Sequence, residues 1–137
     1  MAWLQAVPKP PDGSRRAKGF DTAKAISRFD QLKRDNIVPP MPSNPLPHMI
    51  TRLIEIGLTE TTGMGPAPLS WSAIAAWQAV TGVPLAAWEA RLIRNLSVAY
   101  IGESRRAESE NCPPPWRAPV TDRERNLETA RLQMVLG

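Results

Sequence analysis

The apolar residues of this 137-residue chain recur with the 3.6-residue period of an α-helix in five segments. The pattern predicts helices over about 22–35, 46–56, 71–81, 85–109 and 122–135. No segment alternates with a two-residue period for long enough to predict a β-strand, and residues 59–68 are interpreted as a Gly/Pro/Thr loop. We therefore predict an all-α fold, a small domain of about five helices.

Residue types that favour helix ends flank these segments. Ser70 is placed to cap the helix over 71–81, and Gly82 is the residue type expected to end it in a left-handed conformation. The turn at 82–85 is short, so it predicts that the helices on either side form a hairpin, which we expect to pack on the helix over 46–56. Further predicted start residues are Asp21 or Thr22, Asn44 followed by Pro45, and Thr121 in a capping box with Glu124.

Proline accounts for 15 of the 137 residues, about twice its usual share. Because proline fixes φ and lacks an N–H donor, the clusters at 38–45 and 113–116 predict extended straps. Residues 1–20 show no apolar period. The predicted organisation is a flexible basic N-terminal arm at 1–20, a helical core domain at 21–110, and a Pro-rich strap with a C-terminal helix at 111–137.

The net charge of +4 arises in the first quarter of the chain, where residues 1–35 hold eight Lys or Arg and four Asp. Such an arm either binds an acidic protein surface or nucleic acid, or stays solvated, and the sequence leaves these readings open. The hairpin also has the order of a helix-turn-helix. Its second helix begins at 85–89 without Arg, Lys, Asn or Gln to read base edges, which disfavours nucleic acid as a partner. A small DNA-binding regulator is kept as an alternative.

Residues suited to catalysis or metal binding are few. The single Cys112 and the single His48 have no partner motif, and the carboxylates lie singly among arginines. We therefore predict no enzyme, no metal site and no cofactor. The longest weakly charged stretch, 61–88, is interrupted by Gly and Pro, so it cannot form one membrane-spanning helix. With a single cysteine, this favours a cytoplasmic protein and no membrane partner.

Three of the five tryptophans belong to a longer pattern that runs through the predicted hairpin. It reads Leu69-Ser70-Trp71, then Ile74 and Trp77 one turn on, Thr81-Gly82, Trp88-Glu89 and a closing Leu96-Ser97-Val98-Ala99-Tyr100. A Phe29 to Leu32 helix and a Pro39 to Pro42 strap precede it. From about Phe29 to Tyr100, this pattern resembles the tail assembly chaperones of long-tailed, siphovirus-type bacteriophages.

The resemblance implies a non-enzymatic protein of the host cell cytoplasm that is absent from the mature virion. It implies binding to the tape measure protein, whose long apolar helices it keeps in solution, and help in recruiting the major tail tube protein. Helical grooves accept amphipathic helices through regularly spaced anchors, and a homo-oligomer is left open. A structural head-tail or tail accessory component of the virion is the other alternative. The predicted protein-binding residues are Trp71, Trp77, Trp88, Tyr100, Trp116, Arg15, Arg16 and Lys18.

Overall fold

The computed structural model describes residues 1–116 and 122–137, and 53% of the chain is helical. The predicted helical fold is thus confirmed in its broad class. It is corrected in detail, because the described residues form seven helices instead of about five, together with a small sheet. The elements are α1 (Ala2–Gln5), α2 (Arg15–Lys18), α3 (Arg28–Arg34), α4 (Pro47–Ile56), β1 (Glu60–Thr62), β2 (Gly65–Ala67), α5 (Trp71–Thr81), α6 (Ala87–Ala107) and α7 (Asp122–Leu136).

The core forms where α4 meets the α5–α6 hairpin, as the sequence predicted. Its buried side chains are Met49, Leu53, Leu69, Ile74 and Ile93. Met49 and Leu53 are one helical turn apart on α4, so they form a continuous apolar face against the hairpin. Burying each such side chain contributes about 1.5–3 kcal/mol, which makes this cluster the main source of stability for the central helices.

The segment interpreted as a loop contains a two-stranded antiparallel hairpin. Glu60 pairs with Ala67, and Thr62 pairs with Gly65. The Thr62 hydroxyl donates to the Gly65 carbonyl at 2.7 Å, and Gly65 adopts a φ of +106° that favours glycine. Each strand has only three residues, which is too short for alternation to be visible in the sequence.

The helix-end signals of the hairpin are confirmed. The Ser70 hydroxyl accepts the Ala73 N–H at 3.1 Å, and α5 ends at Gly82 in the left-handed region, with φ +69°. The Leu85 N–H donates to the Gln78 side-chain oxygen at 2.8 Å, which fixes the turn into α6. The local sequence signals were therefore sufficient to predict the two ends of α5.

Two predicted helix starts are wrong. Asn44 does not cap α4, which begins only at Pro47, because the residue before a proline is driven out of the helical region and Leu46 precedes Pro47. The Asn44 side chain instead accepts the Leu46 N–H at 3.0 Å.

The helix predicted over 22–35 begins at Arg28. Ser27 caps it by accepting the Asp30 N–H, whereas the Asp21 carboxylate accepts the Ala23 N–H in a separate turn. Its predicted end is confirmed, because Asp35 is the C-cap residue. The range of α7 agrees with the prediction of 122–135, while the capping box from Thr121 to Glu124 lies outside the described residues.

The first ten residues, predicted as part of a loose arm, contact the end of α6. Ala2 and Leu4 are buried, and α1 packs against α6. The Lys9 N–H donates to the Glu108 carbonyl at 2.7 Å, and the Lys9 carbonyl accepts the Glu110 N–H at 3.2 Å. Here the structure differs from the expectation, because a parallel backbone bridge joins segments about a hundred residues apart and leaves no local pattern in the sequence.

Arg28 holds the N-terminal residues against the end of α6. Its guanidinium donates to the backbone carbonyls of Trp3, Ala107 and Ser109, and it lies 4.5 Å from the centroid of the Trp3 ring. The side chain is buried, and this burial lowers its pKa. One arginine therefore satisfies carbonyl groups at the end of α6 and holds the first residues of the chain against it.

Candidate functional site

An open apolar groove of about 520 Å³ runs between α4 and α6. The N-terminal residues and the two proline segments form its other walls, and we call it the strap groove. Its lining residues are Met1, Ala2, Trp3, Met41, Pro42, Ser43, Asn44, Pro45, Ile50, Leu53, Leu58, Leu96, Ala99, Tyr100, Glu103, Pro115 and Trp116.

The straps suit this position because of their proline content. Residues 41–45 carry neither helix nor strand in the structure, and prolines lack the N–H groups that would otherwise need partners beside an apolar surface. Met41 projects from this strap and is exposed. The first strap thus forms a groove wall with few unpaired donors.

The second strap adds an aromatic wall. The rings of Trp3 and Trp116 meet edge to face, with centroids 5.2 Å apart and an interplanar angle of 75°. The Trp3 indole N–H donates to the Cys112 carbonyl at 3.0 Å, while Arg28 lies over the same indole. Because the Trp3 ring is held by three separate contacts, this wall exists before any ligand arrives.

Tyr100 lies between these walls on α6. Its hydroxyl donates to the side-chain oxygen of Gln5, which joins α6 to the N-terminal segment. Leu96, Ala99 and Glu103 lie at neighbouring positions of the same helix and also line the groove. Tyr100 therefore contributes an apolar ring to the groove while its polar atom is already paired.

Charge is sparse in the strap groove. Glu103 is the one charged side chain among the residues that line it, and its carboxylate lies 3.3 Å from the Arg106 guanidinium. About a third of the Glu103 side chain is exposed. The groove can therefore bind an apolar surface and place one carboxylate at its edge.

The predicted protein-binding residues do not all lie on one surface of the structure. Tyr100 and Trp116 both line the strap groove. Trp71 and Trp88 do not, and each is about half exposed on the α5–α6 hairpin. Trp77 lies on α5, is partly buried and is also absent from the groove lining.

Trp71 has a neighbour of its own. The Arg94 guanidinium carbon lies 5.4 Å from the centroid of the Trp71 ring, a cation–π arrangement between α5 and α6. The Arg94 Nε atom is buried and has no hydrogen-bond partner among the described residues. This pair forms a second exposed aromatic and basic surface that is separate from the strap groove.

The predicted basic residues lie on α2, away from the groove lining. Arg16 forms an ion pair with Glu110, and Arg15 and Lys18 are exposed. Ser14 caps this short helix by accepting the Ala17 N–H. Two of the three basic side chains are therefore available to an acidic surface, but the structure does not bring them to Tyr100 and Trp116.

Glu89, the acidic residue of the Trp88-Glu89 pair, makes contacts that stabilise the start of α6. It accepts the Ala86 N–H at 2.8 Å and lies 2.6 Å from the Arg52 guanidinium. The hydrogen bond from Ala86 is the largest cause that lowers the pKa of Glu89; burial opposes it, and Arg52 and His48 add to it. A carboxylate held ionised at the start of α6 stabilises that helix, and it is poorly suited to accept a proton in catalysis.

The sequence did not single out Trp3, Ala99 or the first strap as parts of one site. Ala99 shares a helix face with Leu96 and Glu103, and that spacing was available as a signal. Nothing local indicates that Trp3 meets Trp116, because 112 positions separate them in the chain.

Within residues 1–116 and 122–137, no helix combines the length and hydrophobicity needed to cross a bilayer. The same residues contain no group of His, Cys, Asp or Glu side chains placed to hold a metal ion. Comparisons of the chain with models of protein families, with curated proteins and with solved structures find no match.

Proposed function

We propose that this chain is a tail assembly chaperone of a long-tailed bacteriophage. It binds the tape measure protein during tail assembly and helps to recruit the major tail tube protein. The observation that carries the proposal is the open, apolar strap groove with its preformed aromatic wall. The tryptophan pattern from Trp71 to Tyr100, with its resemblance to such chaperones, supports it independently.

A groove of this kind suits a helical client. An amphipathic helix buries side chains at i, i+3, i+4 and i+7 in an apolar groove, and aromatic side chains supply much of the affinity. Trp3 and Trp116 are already packed against each other, so little side-chain entropy is lost on binding. A long apolar helix that lacks its final partners would be kept from aggregating in this way.

The exposed rings of Trp71 and Trp88 on the α5–α6 hairpin, the first with Arg94 beside it, are proposed as further contacts. Both rings are about half exposed, and the Arg94 guanidinium stacks beside one of them. Arg15 and Lys18 are proposed to engage acidic faces of the client. These contacts extend the binding surface beyond the groove.

The proposal is tested by co-expressing the full chain with the tape measure protein of the same phage and measuring co-purification and the soluble fraction of the client. Ala99→Glu places a charge in the groove, whereas Val98→Glu places the same charge at the preceding position of α6, which is exposed and outside the lining. We expect Ala99→Glu to weaken binding at least about tenfold, since an unpaired charge is placed in an apolar contact, and Val98→Glu to retain it. Equal binding by both variants would refute the groove as the client site.

Trp71→Ala and Trp88→Ala test the second surface in the same assay. Unchanged co-purification of both variants would remove these tryptophans from the site and leave the groove alone. Mass spectrometry of purified particles separates the alternatives, because a chaperone is expected to be absent and a head-tail or tail accessory component to be present. A DNA-binding regulator would instead show an affinity for duplex DNA that falls steeply with added salt.

A further inference from the structure

The chain exposes more surface than a compact monomer of its mass. Its accessible surface is 10308 Å², whereas a folded monomer of 15.1 kDa exposes ~7,100 Å². Obligate complexes bury about 2,000–5,000 Å² in total, or roughly 1,000–2,500 Å² on each partner. The surplus of roughly 3,200 Å² on this chain is therefore large enough to supply one side of such an interface.

A large share of the uncovered apolar surface lies on α7. Every side chain from 125 to 136 is exposed. The large apolar residues among them are Leu127, Leu132, Met134, Val135 and Leu136, and the last three are each more than 80% exposed. An isolated helix of 15 residues is marginally stable in water, and packing normally supplies most of a helix's stability. Helix α7 thus needs a surface to pack against.

One face of α7 carries apolar residues and a charge that suit the strap groove. Leu127, Ala130 and Met134 are spaced i, i+3 and i+7, the spacing that a helix presents to an apolar groove. Arg131 lies on the same face, one turn after Leu127, and forms no ion pair with any side chain that the structure describes. The strap groove is apolar and carries one charged side chain, Glu103. The helix thus brings a cation to a groove that offers a carboxylate.

We propose that α7 of one copy of this chain docks in the strap groove of a second copy, and that the second copy's α7 docks in the first. The apolar face of Leu127 and Met134 enters the groove, and Arg131 pairs with Glu103. Helix and groove belong to the same chain, so a two-fold exchange satisfies both surfaces on both copies and leaves no open end.

The short connection favours exchange between copies. Only residues 117–121 separate Trp116, which lines the groove, from the first residue of α7. Short hinge connections favour domain swapping, in which the same element is exchanged between two copies.

This inference concerns the free protein and does not rest on the proposed client. It gives the groove an occupant before any client is present, so the client and α7 would compete for the same surface. The tests below use the full chain alone, and their failure would leave the co-purification test of the preceding subsection intact.

The first test measures the mass of the full chain in solution by sedimentation. The same measurement is made on variants in which the charges of Glu103 and Arg131 are reversed, singly and together. We expect a dimer whose dissociation constant rises about tenfold or more in Glu103→Arg and in Arg131→Glu, and returns toward the wild-type value in the double variant. Leu127→Asp is expected to dissociate the dimer, whereas Leu132→Asp, outside the docking face, is the matched control. Far-UV circular dichroism shows that each variant stays folded. A monomeric wild-type chain, or a double variant no tighter than the single variants, would overturn the proposal.

The second test uses Cys112, the single cysteine, which is hydrogen-bonded through its carbonyl to the groove residue Trp3. Protein that carries a nitroxide on Cys112 and no ¹⁵N label is mixed with ¹⁵N-labelled protein that carries no nitroxide. We expect broadening of the amides of residues 125–136 in the mixed dimers, because the label of one copy lies beside the α7 of the other. Broadening only when label and isotope share one chain would assign the groove to its own α7. A dimer without broadening at α7 would assign the interface elsewhere, and both results contradict the proposal.

Discussion

Ser97 is the most informative position for a stability test, because it is a fully buried polar side chain in the middle of α6. Its hydroxyl donates to the Leu58 carbonyl at 2.7 Å and accepts the Leu69 N–H at 3.0 Å. These two backbone groups flank the small β-hairpin, so one side chain joins both of its ends to α6. The contact also explains the serine of the Leu-Ser-x-x-Tyr pattern in structural terms.

Ser97→Ala would leave both backbone groups without this partner. A buried donor or acceptor that loses its partner costs about 1–3 kcal/mol. The contact of the Leu58 carbonyl is only partly buried and takes the lower end of this range, so together with the buried Leu69 N–H we expect the unfolding free energy to fall by about 2–4 kcal/mol. At roughly 3 °C per kcal/mol for a chain of this length, the midpoint of thermal unfolding should fall by about 6–12 °C. Urea unfolding followed by circular dichroism measures the free energy directly.

Ser104→Ala is the matched control, because Ser104 lies on the same helix and is only partly buried. We expect a change within about 0.5 kcal/mol for this variant. If Ser97→Ala were equally mild, the two hydrogen bonds would not hold the hairpin to α6, and the reasoning from buried unsatisfied groups would fail here.

Two further predictions concern helix ends. The pKa of Glu89 lies below its ordinary value of 4.5, chiefly through the Ala86 N–H, so the stability from this group is complete above pH 4.5 and is lost as the pH falls through the lower folded-state value. Urea unfolding at a series of pH values should therefore show a shallower acid loss for Glu89→Gln than for wild type, and parallel curves would contradict this. Gly82→Ala forces a φ of +69° on alanine with open space around it and should cost about 1 kcal/mol, whereas Gly102→Ala inside α6 should stabilise by about 0.5–1 kcal/mol. Thermal unfolding of the two variants should shift in opposite directions, and equal shifts would show that backbone conformation does not decide the effect.

The part of the fold that depends on near neighbours in the sequence was predictable. Ser70 and Gly82 mark the ends of α5 through contacts within four residues, and the apolar spacing of α4 and α6 identifies the faces that form the core. At the start of α4 two local signals compete, and the effect of Pro47 on Leu46 outweighs the capping signal of Asn44 two residues earlier.

The candidate site was predictable only in part, since its walls come from distant segments. Tyr100 and Trp116 were both predicted to bind protein, and both line the strap groove. Helical spacing assigns a residue to a face but does not say which faces meet, so Trp71 was grouped with them although it lies on a separate surface beside Arg94. The pairing of Trp3 with Trp116 depends on how the whole chain closes, which no local pattern encodes.

The bridge between Lys9 and Ser109 has a consequence for biosynthesis. Lys9 is translated about a hundred codons before its bridge partner Ser109 at the end of α6. Closing so large a loop costs entropy and is slow. We therefore expect residues 1–9 to pack against the end of α6, with Arg28 contacting Trp3, only after the central helices have formed.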